Sequence, residues 1–236
     1  ILDETEFAPT HSLKRFMKPL ENVTIPAKES KIVKLTVSVP SDAEAGGYFG
    51  AVRFAPSAQD DGNQVNLSAS IASLVLLTVP GDIVEDVNLT SFDIEQNGVK
   101  GGFFTSRDNI SVSTRFENKG GAAVSPFGKV SVKQGDAVVY DSDFNVEAPR
   151  DVILPDSSRR WNVPLNDLGS FGKHTIVATF TYGESNKTIE VTKTFWIIPW
   201  IYILGAVGAL LLIVFGVVTR QYLNRHKKKS LRHRRR

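Results

Sequence analysis

The chain has 236 residues, of which 42% are hydrophobic and 22% charged, and it contains no cysteine. A disulfide framework and a thiol nucleophile are therefore excluded. The formal charge of +3 divides unevenly: residues 220–236 hold nine Lys or Arg and no acid, leaving 19 basic against 25 acidic side chains upstream, so nucleic acid is excluded as a partner of the main body.

Residues 1–19 read as irregular, with Pro9 and Pro19 amid mixed charge. From there the pattern has a period of two. In KIVKLTVSVP, Val33, Leu35, Val37 and Val39 share one face and Lys34, Thr36 and Ser38 the other, which predicts a half-buried strand ending at Pro40. Gly46 and Gly47 close a turn, Tyr48–Phe54 forms the next strand, and residues 55–63 form a loop. Val65–Ile71 and Ser73–Val79 follow as one long strand or two short ones, closed by Pro80-Gly81. Four or five strands are few for a closed sandwich, so the opening strands of this first unit are expected upstream of Ile1, as is the export signal that the topology below requires.

A second unit, residues 82–194, carries seven strand-like segments around residues 84–96, 109–119, 128–134, 137–146, 159–165, 174–183 and 187–196. They are separated by turn signals such as Asn97-Gly98, Gly120-Gly121 and Gln134-Gly135-Asp136. Short strands at this spacing without an amphipathic helix predict an all-β sandwich of immunoglobulin-like size, with Trp161 a core aromatic. The expected fold class is thus two tandem immunoglobulin-like β-sandwiches, residues 1–81 and 82–194, followed by one transmembrane α-helix. The short hinge around Pro80-Gly81 implies a stiff rod.

The run from Phe195 to Thr219 has no Asp, Glu, Lys, Arg or His and is long enough to cross a hydrocarbon core of ~30 Å. Trp196, Trp200 and Tyr202 sit at its start, where amphipathic rings favour the interface. Arg220, Arg225, Lys227, Lys228 and Lys229 follow it in the basic tail, residues 220–236, which belongs on the cytoplasmic side and against anionic lipid. The expected location is a single-pass type I membrane anchor in a bacterial envelope, the absence of cysteine arguing against an animal cell surface. Gly205 and Ala209 form a small-xxx-small pair suited to helix packing. The sequons at Asn22, Asn66, Asn88, Asn109 and Asn186 are what a chain rich in Asn, Ser and Thr produces by chance.

The inventory for catalysis is poor. His226 and His233 lie in the tail, His11 falls in an irregular segment, and His174 reads as a surface strand residue. No serine stands in a nucleophile-elbow context. Asp60-Asp61, Asp141, Asp143, Asp151 and Asp156 occupy turn-rich stretches where aspartate is expected, and the stretch from Asp60 to Asn63 lacks the ligand spacing of a calcium loop. The expectation is a protein that is not an enzyme and needs no cofactor or metal. A cell-wall hydrolase using those aspartates is the reading this inventory disfavours.

The stretch VTIPAKESKIVKLTVSVPSDAEAGGYFGAVRF, with RFENKGGAAVSPFGKVSV and VILPDSSRRWNV further on, resembles the WxL-interacting proteins of Gram-positive bacteria. The resemblance implies two immunoglobulin-like domains, one anchor helix and a basic tail. It implies a non-enzymatic protein whose partners are peptidoglycan or another wall polymer, and other surface or membrane proteins. Gly46, Gly47, Tyr48, Gly50 and Arg53 match the motif and form the candidate binding region, with Gly120-Gly121 departing from the usual Gly-Asn. An accessory membrane subunit of an export or pilus machine is the alternative.

Overall fold

The computed structural model describes residues 10–21, 23–26, 28–54 and 70–233, with side chains described up to Gln221. The chain is mostly β, and among the described residues its strands form three sheets. β1 (Gly46–Phe54) and β2 (Ile71–Val79) make an antiparallel two-stranded ribbon. β3 (Val87–Gln96), β4 (Val99–Lys100), β6 (Ile110–Asn118) and β9 (Ser157–Pro164) make a four-stranded sheet in the order β4-β3-β6-β9. β5 (Phe103–Phe104), β7 (Phe127–Gln134), β8 (Ala137–Phe144), β10 (Gly172–Tyr182) and β11 (Lys187–Ile197) make a five-stranded sheet in the order β5-β11-β10-β7-β8. Helix α1 (Trp200–His233) follows.

The four- and five-stranded sheets share one core, because the inward residues of each alternate as the sequence pattern requires. On β10, His174, Ile176, Ala178, Phe180 and Tyr182 are buried, and β7 adds Val130 and Val132. On the facing sheet Phe92, Ile94, Ile110, Val112 and Phe116 point inward, with Trp161 half-buried beside them. The centre is an aromatic cluster: Phe116 meets Phe180 at 5.0 Å and Phe144 meets Phe180 at 4.9 Å, both edge to face, and Trp161 closes on Phe144 at 5.5 Å. Such edge contacts match the ring quadrupoles and hold the sheets at one spacing. All seven expected strands of residues 82–194 are present as β3 and β6–β11. Two short strands, β4 and β5, were not foreseen; Asn97 (φ 52) and Gly98 (φ 80) make the tight turn that leads from β3 into β4.

Three expectations fail. Residues 31–40 form no strand: Val37 makes a single bridge to Met17, and Ser38 N–H donates to Phe16 O at 2.7 Å. Alternation specifies an extended chain, but a ladder needs a free edge. The outer edge of β1 is instead met by residues 11 and 12, through Phe49 N–H to His11 O at 2.9 Å and a parallel bridge from Ser12. The membrane run does not begin at Phe195. β11 continues to Ile197, Phe195 and Ile197 are core residues, and the helix opens at Trp200. His174 is fully buried rather than on the surface.

The ribbon joins the larger β body at one end. Gly47 N–H donates to Gly121 O at 2.8 Å, and Gly121 N–H donates to Val84 O at 2.9 Å. Buried Asn118 organises the same loop: its amide donates to Ala122 O at 2.8 Å and Ile153 O at 3.0 Å, and its Oδ1 accepts Gly120 N–H at 2.9 Å. Helix α1 leaves the opposite end.

Candidate binding surface and membrane anchor

The five motif residues lie on β1, but most of them serve the fold. Gly46 and Gly47 are buried at the base of the ribbon, where a Cβ on Gly47 would stand 2.9 Å from the Ala122 Cα. Gly50 lies against fully buried Leu13, and a Cβ there would meet the Leu13 side chain at 3.4 Å, an ordinary contact. The Tyr48 ring packs 4.6 Å from Phe16, and its hydroxyl donates to Glu44 O at 3.1 Å. His11 Nδ1–H donates to Gly47 O at 2.6 Å and the ring stacks on Phe49, so this histidine is a brace for the ribbon. Of the five, Arg53 faces solvent. Leu74 and Leu76 are exposed on the same face of the ribbon as Arg53, and Phe54 and Ile71 on the opposite face, apolar surface that composition did not reveal.

Trp200–Gln221 of helix α1 has a mean hydropathy of 2.7, no part of it is buried, and it is long and apolar enough to cross a membrane. Trp200 and Tyr202 lie on its first turn, whereas Trp196 belongs to β11. Thr219 does not interrupt it, because its hydroxyl donates to Phe215 O at 2.8 Å and is satisfied within the helix. A Cβ on Gly205, Gly208 or Gly216 would meet nothing within 4 Å, so the small face of Gly205 and Ala209 is open. Arg220 is exposed; Arg225, Lys227, Lys228 and Lys229 continue the helix, and their side chains lie outside the described residues.

Of the carboxylates considered for catalysis, Asp141 and Asp151 are tied into ion pairs. Asp141 accepts from Lys129 Nζ at 2.5 Å and Ser131 Oγ at 2.6 Å. The lysine hydrogen bond, then the serine, holds this carboxyl below its ordinary value, and the same contact raises the lysine. Asp151 pairs with Arg159 at 2.6 Å and accepts from Trp161 Nε1 at 3.2 Å. Asp156 (φ 54) shapes a turn, and Asp60 and Asp61, like the sequons at Asn22 and Asn66, lie outside the described residues. Among the described residues no group of three or more His, Asp or Glu is placed to hold a metal ion.

Two polar arrangements were missed by sequence reasoning. Glu95, almost fully buried on the outer face of the four-stranded sheet, receives both bonds from Arg160 Nη2, at 2.9 and 2.8 Å, while Arg160 Nε donates to Ser113 at 2.6 Å. Asp93 bridges Lys100 at 2.6 Å and Lys193 at 3.1 Å, and the Lys100 hydrogen bond leads in holding its carboxyl low. These clasp β3 to β4, β9 and the edge of the other sheet. The partners are far apart in sequence, so no local pattern announces them. His174 stacks on Phe195 at 5.1 Å, its Nδ1–H donates to Gly172 O at 3.2 Å, and its Nε2 has no partner. Burial pushes its imidazole below the ordinary 6.5, against a smaller opposing effect of the Gly172 carbonyl.

Compared with known proteins, the chain matches no family model and no curated protein.

Proposed function

We propose that the protein is a non-enzymatic, single-pass anchor of the bacterial cell membrane whose extracellular β region binds peptidoglycan or another wall polymer, or other surface proteins. The observation that carries this reading is the direct passage from the last core strand, β11, into an exposed apolar helix of membrane-crossing length. The nine basic residues of the tail support a cytoplasmic C-terminus and an extracellular β region. The shared core of the four- and five-stranded sheets supports an immunoglobulin-like reading of residues 82–194, and the resemblance to WxL-interacting proteins extends it to the ribbon as part of a second such domain. Arg53, with Leu74 and Leu76 on the same face, is the surface offered to a partner, and recognition there would use side-chain contacts and strand edges rather than covalent chemistry.

The test is co-sedimentation of the detergent-solubilised chain with protein-free sacculi. Saturable binding that soluble muropeptides compete away, and that Arg53→Ala weakens, supports a wall-binding anchor. Absence of binding removes the wall polymer and leaves protein partners, to be sought by crosslinking in intact membranes. A second reading, an accessory subunit of an envelope complex, is favoured by the open small-residue face of helix α1. Leucine at Gly205, Gly208 and Gly216 would release co-purifying membrane proteins if that reading holds and change nothing if it does not.

A further inference from the structure

The end of the β body from which helix α1 departs carries exposed aromatic side chains from three separate segments. Phe103 on β5 pairs in parallel with Trp196 on β11, and Trp196 pairs with Lys173 on β10, so the three form a row on the outer face of the five-stranded sheet. Phe103 is 73% exposed and Trp196 39%. Phe171, 47% exposed, lies in the loop before β10 and packs its ring 4.8 Å from Tyr202 on the first turn of the helix. Both positions are held firmly. Trp196 N–H donates to Gly102 O and Ile198 N–H to Phe104 O, each at 2.8 Å, and Gln134 Nε2 donates to Phe171 O at 2.6 Å.

We propose that Phe103 and Phe171, with Trp196 and Trp200, form a lipid-docking surface that seats the β body on the outer leaflet and fixes its orientation, independently of the helix that tethers it. The inference rests on the membrane reading of helix α1. The occupant follows from continuity: Ile197 ends β11 and Trp200 starts the helix, a gap that even a fully extended chain spans in roughly 10 Å at ~3.5 Å per residue. That is about the depth of the headgroup layer, so the tether keeps this end of the sheet within reach of the interface, where exposed aromatic rings are most favourably placed. Charge does not drive the contact. Lys173 and Arg107 stand at this end, but so do Asp108, Asp136 and Asp167, so docking depends on the rings and needs no anionic lipid.

The absence of cysteine makes the full chain suited to single nitroxide labels. Labels at Phe103→Cys, Phe171→Cys, Thr188→Cys and Leu210→Cys would be read in phosphatidylcholine nanodiscs by collision with oxygen and with a water-soluble nickel chelate. Thr188 lies on β11 nine residues before Ile197, roughly 30 Å further from the bilayer at ~3.3 Å per residue. The expected result is nickel accessibility at positions 103 and 171 several-fold below that at 188, unchanged in high salt, with position 210 in the hydrocarbon. Water-like values at 103 and 171 with 210 in hydrocarbon overturn the docking surface and leave the anchor standing. A water-like value at 210 overturns both. Because a nitroxide is itself apolar, a label at Lys173→Cys is also compared with and without Phe103→Ser and Phe171→Ser. The double substitution should raise its nickel accessibility to the level of position 188, and no change overturns the proposal.

Discussion

Asn118 is fully buried and holds the loop on which the β1–β2 ribbon docks, so its truncation tests the joint between the two parts of the chain. Asn118→Ala removes hydrogen bonds to Ala122 O, Ile153 O and Gly120 N–H. Ile153 O keeps the Val124 N–H at 3.0 Å, so the loss falls on Ala122 O and Gly120 N–H. The buried Gly120 N–H, at ~1–3 kcal/mol, and the half-buried Ala122 O, at the lower end of that range, ~1 kcal/mol, together predict a loss of about 2–4 kcal/mol. Urea denaturation of the full chain in detergent, followed by tryptophan fluorescence, measures it, since Trp161 lies against the core. Asn118→Asp separates donor from acceptor: its Oδ1 still accepts Gly120 N–H, but its second oxygen faces two carbonyl oxygens. It should cost at least as much as alanine at neutral pH. Amide exchange at Gly47 should accelerate in both variants, because Gly121 O, its acceptor, sits in the loosened loop. A loss below ~1 kcal/mol for alanine, or an aspartate variant as stable as wild type, would refute the assignment.

The buried His174 predicts a pH dependence of definite sign. Its folded-state affinity for a proton is depressed, so below 6.5 the unfolded chain binds a proton that the folded chain refuses. Stability is whole above that pH and falls as pH drops, by at most ~1.4 kcal/mol per pH unit. His174→Leu should flatten the profile between pH 6.5 and 5, and an unchanged slope would assign it elsewhere. Arg160→Met strands the buried Glu95 carboxylate and should cost about 2–3 kcal/mol, less than a fully enclosed pair because the arginine is half exposed; adding Glu95→Met should recover part of the loss, and strict additivity in the double-mutant cycle would show that the two do not interact. Gly128→Ala would place a Cβ 2.0 Å from the Thr179 carbonyl oxygen, so β7 must separate from β10, and thermal melting should show a chain destabilised well beyond an ordinary surface substitution. A melting temperature equal to wild type would contradict the close approach of these strands.

Where β6, β7, β10 and β11 run was legible in the sequence, because side chains alternate across a sheet and a strand with one dry face must write that period into its residues. The apolar helix was legible for a related reason, since length and hydropathy are properties of a contiguous segment. The glycines of the candidate site were visible as motif residues, but their work was not: Gly47 is small because the Ala122 backbone, far away in sequence, comes to meet it. The same holds for residues 31–40, whose alternation is genuine while the pairing edge it needs is met elsewhere. His174 looked like a surface residue because a histidine flanked by Lys173 and Thr175 gives no local sign of Phe195 stacking over it. Phe195 and Ile197 looked like membrane because an apolar run does not say whether lipid or a facing sheet removes it from water.

The sequence by itself therefore determined the all-β character, the strand positions of residues 82–194 and a helix able to cross a bilayer. Only the tertiary structure decided where the core ends and the helix begins, which acids are clasped in ion pairs, and which rings from distant segments gather at the helix end of the sheet. Periodicity and hydropathy are local sums along the chain. Burial, pairing and the neighbourhood of a charge depend on segments brought together by folding.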